Sequence, residues 1–179
     1  RGEESLGMIC SEVEIGVGTA TEGIIVLTDE VKPGTLAKEY YNIKSDYLLE
    51  VDITPNRAEG CSHYGVARDV YAYLKRNGIA ASLRKPSVEG FEVDNSKLDI
   101  EVEVDNPKAC IRYAGVSMTG VTVKESPDWL KDKLNVIGVR PINNVVDVTN
   151  FILFAFGQPL HCFDADAIST KKVCVKTLP

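Results

Sequence analysis

The chain has 179 residues, is 44% hydrophobic and 26% charged, and carries a formal net charge of −6. That length is enough for one or two domains with a core, the composition is that of an ordinary soluble protein, and the negative balance argues against a general nucleic-acid binder. The charge is uneven, however: residues 1–107 hold 11 Lys+Arg against 20 Asp+Glu, net −9, whereas residues 108–179 hold 9 against 6, net +3.

A polyanion, if met at all, is therefore expected at the second half. The five cysteines (Cys10, Cys61, Cys110, Cys162, Cys174) are widely spaced and form no CxxC pair, so reduced thiols are expected and a structural zinc site is not. A metal site built from Cys61, His63, His161 and Cys162 lacks ligand spacing. No apolar run approaches the roughly 20 residues of a membrane span, and no stretch reads as a signal peptide. Residue 1 is Arg rather than Met and the pattern breaks off at Pro179, so a piece of a longer protein is expected.

In chain order, residues 1–23 are rich in Gly and Ser and read as the loop-rich close of a preceding domain. Gly23–Leu27 is β-branched enough for a short buried strand, and Lys32–Gly34 is a turn. Tyr47–Ile53 alternates Leu49, Val51 and Ile53 against Glu50 and Asp52, the pattern of a second strand. The turn Thr54–Arg57 leads to a helix capped near Ser62, with Val66, Val70, Tyr73 and Leu74 at helical spacing and Asn77-Gly78 as its stop. Residues 84–97 are polar, contain Pro86 and Gly90, and are expected to be a linker.

Leu98–Val104 alternates strictly and predicts a half-buried strand. Residues 111–123 read as strand-rich. Ser126-Pro127-Asp128 is a helix start, with Ser126 as cap, and Trp129, Leu130, Leu134 and Ile137 as the apolar face before Gly138. Residues 144–156 predict a buried helix with Asn144 as a candidate cap and Gly157 as its end. A loop then carries His161, and Lys172–Thr177 begins a further strand. The fold class expected is α+β, in two small mixed units.

The stretch 140–164 is the most apolar in the chain, yet Arg140, Asn143, Asn144, Asp147, Thr149, Asn150, Gln158 and His161 interrupt it. Buried polar groups need partners, so a pocket that reads a polar ligand is one reading and a set of caps and core hydrogen bonds is the other. Thr149 and Asn150 are poor choices inside a helix because they compete for its backbone. Arg140 suits either the end of a helix or a phosphate or carboxylate. His63, in the first turn of its helix, reads as a surface or capping group. The chain has no GxSxG, Walker loop, GxGxxG or HExxH. Spacing alone points to a pocket and names no reaction.

Several segments resemble the β subunit of bacterial-type phenylalanyl-tRNA synthetase. Arg1–Glu12 is similar to the close of its inserted tRNA-binding-like OB domain. Glu50–Arg57 (Glu-Val-Asp-Ile-Thr-Pro-Asn-Arg) and Gly65–Arg68 resemble its first structural domain. Pro127–Leu130, Asn143–Asn150 and Gly157–Asp164 resemble the start of its B3/B4 region.

The resemblance implies boundaries: 1–23 the end of the OB insertion, 24–83 a B1-like structural domain, 84–97 the linker, and 98–179 the start of a B3/B4-like editing domain lacking its C-terminal part. It implies that this region helps to hydrolyse tyrosine wrongly esterified to phenylalanine tRNA. The carried-over catalytic positions are His161, Thr149 and Asn150, with Arg140 toward the tRNA and no metal ligand. A glutamate and small residues beyond Pro179 would complete the pocket. The resemblance further implies a cytoplasmic α2β2 enzyme with an α subunit and tRNA(Phe) as partners and no membrane. ATP and Mg2+ would serve the whole enzyme and no cofactor this fragment, whose expected state alone is inactive. A non-catalytic scaffold for subunit and tRNA contacts is the alternative.

Overall fold

The computed structural model describes residues 2, 4 and 6–178; Arg1, Glu3, Ser5 and Pro179, which the expected terminal segments include, lie outside the described residues. The chain divides into two units, Arg1–Tyr47 and Leu48–Pro179. The division falls inside the expected 24–83 unit. Within the second unit the helix before residues 84–97 packs on a helix after them.

In the first unit the only regular element among the described residues is a short helix, α1 (Ala37–Tyr40), in a stretch for which the sequence suggested no element. The expected strand 23–27 is not formed. Its one ladder-like backbone bond runs from Ile25 N to Cys10 O, at 3.0 Å. Ser11, the buried residue of this unit, donates from its backbone N and its Oγ to Glu14, at 2.7 and 2.9 Å. Those bonds hold the Glu14 carboxyl below the usual carboxylate range, the backbone N–H contributing most.

The second unit holds three longer helices and two strands among its described residues. The expected strand 47–53 does not form: the stretch has no regular structure and pairs with no strand among the described residues, and Leu48 and Leu49 are exposed. Helix α2 (His63–Arg76) forms as expected: Ser62 Oγ accepts from Gly65 N at 3.0 Å, and Gly78 follows with φ +71°. The 3-10 turn Ala58–Gly60 packs under its first turn so closely that a Cβ on Gly65 would sit 2.4 Å from Glu59 O. Arg57 Nη2 reaches both Asp69 carboxylate oxygens at 2.9 Å, joining this turn to α2 at the surface.

Strand β1 (Glu101–Val104) starts three residues later than expected and pairs in parallel with β2 (Lys172–Val175), Val102 opposite Val173 and Val104 opposite Val175. A parallel pair needs a long crossover, and residues 105–171 supply it. The expected strand in 111–123 does not form; that segment runs through the crossover with Ile111, Val116 and Met118 exposed. Alternation identifies a residue that could face a core, but a strand also needs a neighbour at ladder distance. At the start of β2, Lys172 is held by Glu103 and, at 3.6 Å, by Glu101.

Helix α3 (Asp128–Val136) has Pro127, not Ser126, at its cap position. Ser126 gives no capping bond because its hydroxyl donates instead to Asp147. Leu130 and Leu134 are the buried apolar side chains, each 1% exposed, while Trp129 is half-exposed and meets Phe151 edge-on at 5.6 Å. Helix α4 (Asn144–Phe156) has the expected bounds and ends on left-handed Gly157, φ +72°. Its cap is Asn143 rather than Asn144: Asn143 Oδ1 accepts from Val145 N and Val146 N at 3.1 and 3.0 Å. α4 packs on α3 and on α2, but Val148, Leu153, Phe154 and Phe156 stay partly open, so the expected buried helix is corrected to one with a partly open apolar face.

Gly65→Ala is expected to destabilise the protein by about 1–3 kcal/mol in urea unfolding, because the new Cβ overlaps backbone that cannot swing away. The hydrogen bond to Glu103, aided by Glu101, raises Lys172 above the ordinary lysine value of 10.5. Its stabilisation is then complete below that value and lost as pH rises through the raised one. In thermal melts between pH 9 and 12 the difference between wild type and Lys172→Met should shrink as alkalinity increases, and stay small throughout because the pair is solvent-exposed.

Candidate functional site

The N-terminal turn of α4 is built from polar side chains with defined partners. Asn144, at the first helical position, is strapped to the preceding chain: its Oδ1 accepts from Lys124 N at 3.0 Å and its Nδ2 donates to Thr122 O at 3.0 Å. Asp147 is 0% exposed and accepts from Ser126 Oγ at 2.5 Å and from Ile142 N at 2.8 Å. A buried carboxylate must be met in this way to be tolerated. Asp147 thus has a structural assignment that spacing along the chain did not reveal, because Ser126 lies 21 residues upstream. The available signal was an acid in the first turn of an otherwise apolar helix.

Thr149 donates from Oγ1 to Val146 O at 2.7 Å, the back-bond that lets a hydroxyl sit inside a helix. Its oxygen lone pairs remain able to accept. Asn150 is half-buried, and its amide forms no hydrogen bond among the described residues. Arg140 is exposed in the connection between α3 and α4, just after left-handed Gly138. It has no ion pair among the described residues, whereas nearby Lys131 is bound by Glu125 and Asp128, each at 2.9 Å. Those bonds, Glu125 first, push the Lys131 ammonium above the ordinary lysine range.

His161 is exposed on a loop fixed at both ends. Gly157 N closes α4 on Leu153 O at 2.7 Å, and Asp164 accepts from Asp166 N at 3.0 Å to start the 3-10 turn Ala165–Ala167. The imidazole lies 6.5 Å from the Phe163 ring. Among the described residues no hydrogen bond, ion pair or ring contact joins any two of Arg140, Thr149, Asn150 and His161. Thr149 and Asn150 share α4, while Arg140 and His161 lie in the connections flanking that helix. Cys162 is exposed and free, and no group of three or more His, Cys, Asp or Glu among the described residues is arranged to hold a metal. An open hollow of about 320 Å³ lies elsewhere, between Val51 and Ile53 and the Val66–Tyr73 face of α2.

Residues 109–178, which include α3, α4, the His161 loop and β2, match the B3/4 domain. Across its whole length the chain is 70% identical to the phenylalanine–tRNA ligase beta subunit of Bacteroides thetaiotaomicron, covering 22% of that protein. It is 54% identical to the corresponding subunit of Porphyromonas gingivalis over 178 residues, 99% of this chain and 22% of the relative. Over 176 residues, 98% of this chain, it is 42% identical to that of Dehalococcoides mccartyi, covering 21% of the relative. The chain belongs to the phenylalanine–tRNA ligase beta subunit family and spans about a fifth of the length of the curated relatives it matches. No helix among the described residues is long and apolar enough to cross a membrane.

Asp147→Ala should cost about 1–3 kcal/mol for each donor left without a partner at Ser126 and Ile142. Asp147→Asn should cost less, since its amide can still meet both groups. Chemical denaturation of the three proteins gives the ranking directly.

Proposed function

We propose that this chain is part of the β subunit of a phenylalanine–tRNA ligase, and that residues 98–179 form the opening part of its editing domain. In this reading 1–23 closes a tRNA-binding-like OB insertion, 24–83 is a B1-like scaffold and 84–97 links the two. The whole enzyme, a cytoplasmic α2β2 assembly, charges tRNA(Phe) with phenylalanine at the expense of ATP with Mg2+. In this reading neither ATP nor Mg2+ is held by residues of this chain.

The observation that carries the reading is the B3/4 match over 109–178. In that segment Asn150 has an unspent amide on α4, and the exposed Arg140 and His161 flank the helix. The physical need is clear. A hydrophobic pocket made for phenylalanine discriminates against tyrosine, which adds only a hydroxyl, by about 10²-fold. A second pocket that hydrogen-bonds the hydroxyl does better, because phenylalanine leaves its polar groups unpaired.

Asn150 and the Thr149 oxygen supply such polar groups on a helix with an apolar face. The ester is already activated, so holding it against a water is sufficient without a protein nucleophile. His161 then orients substrate or water, and Arg140 meets the tRNA terminus. The scaffold alternative, a module for subunit and tRNA contacts alone, draws on Asp147, Asn143 and Asn144, whose hydrogen bonds all serve the fold. It describes the isolated segment best, which we expect to be inactive in charging and in editing.

The test is deacylation of tyrosyl-tRNA(Phe) by the assembled full-length enzyme, by its His161→Ala and Arg140→Ala variants, and by this segment alone. His161→Ala should slow hydrolysis by about 10- to 100-fold through lost positioning. Arg140→Ala should raise KM for the tRNA, and the segment should do nothing. Unchanged hydrolysis in both variants sinks the site assignment, and rapid hydrolysis by the segment overturns its incompleteness.

A further inference from the structure

The start of α2 meets the end of α4 at one compact junction. Three independent contacts mark it. His63 Nδ1 lies 3.0 Å from Phe154 O, across 91 residues of sequence. The Tyr64 and Phe156 rings pack at 6.0 Å. Gly157 lies directly against Cys61 and Ser62: a Cβ built on it would be 3.5 Å from Ser62 Cβ and 3.7 Å from Cys61 O. Gly157 is also the left-handed residue from which the 158–163 loop departs, and that loop carries His161.

The hydrogen bond has a definite sense. The last carbonyls of a helix have no partner within it. Leu153 O is taken by Gly157 N, and Phe154 O is taken by the imidazole. A carbonyl only accepts, so His63 must carry a hydrogen on Nδ1. A planar ring with two side-chain torsions is a stiff bracket for a helix end. Nothing in the proposed chemistry uses His63, and a residue in the first turn of a surface helix had no evident reason to be a histidine.

We propose that His63 is a positioning residue for the editing site: by fixing the last turn of α4 through Phe154 O, it sets where the His161 loop begins. The inference rests on the editing reading given above. Without the bond, Phe154 O turns to water, the last turn of α4 frays, and the loop pivots at Gly157. Displacement of about 1 Å at a reacting group is enough to cost up to 10²-fold in rate.

The experiment uses the full-length β subunit assembled with its α subunit. It compares wild type with His63→Ala, His63→Asn and His161→Ala. Asparagine places an amide N–H close to where the imidazole Nδ1–H lies, so it preserves the bracket. Initial rates of tyrosyl-tRNA(Phe) deacylation are measured beside phenylalanine charging on the same preparations, well below their melting temperatures. The expected result is a fall of about tenfold in deacylation kcat for His63→Ala, near-wild-type deacylation for His63→Asn, and unchanged charging in both. Deacylation unaffected by His63→Ala while His161→Ala loses it overturns this inference and leaves the editing reading standing. Equal losses of charging and deacylation in His63→Ala mark a general folding role and overturn it also. Full deacylation by His161→Ala overturns the editing reading itself, and the inference with it.

Discussion

Asp147 is the point on which the second unit turns. Its carboxylate is wholly out of solvent and accepts from Ser126 Oγ and Ile142 N. One side chain therefore ties together the residue ahead of α3, the connection that follows α3, and α4 itself. Burying a carboxylate is costly unless such donors are in place, so these three segments must adopt their positions together. Leu130 and Leu134, the buried apolar side chains, lie on α3, which packs against α4. Asn143 and Asn144 add the cap and the strap to 122–124, and the start of α4 is fixed from three directions. Its far end is met by α2 at Phe154, Phe156 and Gly157.

Much of the apolar surface is not absorbed by this framework. Ile111 is 93% exposed, although it sits in a segment whose composition favours strands. The same holds for the Tyr47–Ile53 stretch, where only Ile53 is partly covered. Side-chain alternation is a property of one segment, whereas a sheet is a property of two. Among the described residues only β1 and β2 find each other, through a crossover that brings residues 101–104 beside 172–175. The other strand-like segments pair with no strand among the described residues.

Helices were far more legible than strands. Ser62, Asn77 and Gly78 mark the ends of α2, and Gly157 marks that of α4, because caps and left-handed terminators act over three or four residues. Where a side chain had a choice, local rules chose wrongly. Ser126 looked like a cap and became a buried donor; Asn144 looked like a cap and became a strap, leaving the cap to Asn143. In each case a partner about 20 residues away competed for the same hydrogen-bonding atoms. The candidate site divides in the same way. Thr149 and Asn150 were suspect on helix propensity alone, and the structure distinguishes them: one hydroxyl is bound to its own helix, while one amide is left unspent.

By itself the sequence determined the three longer helices and most of their ends, the positive balance of the second half, and a family resemblance carried by short, ordered motifs. These follow from local backbone preference and residue identity, which need no knowledge of distant neighbours. Tertiary structure decided which polar groups serve the fold and which remain available, which expected strands find a partner, and that His63 reaches the end of α4. Those outcomes depend on which atoms compete for a given donor or acceptor once the chain is packed, and such competition spans tens of residues.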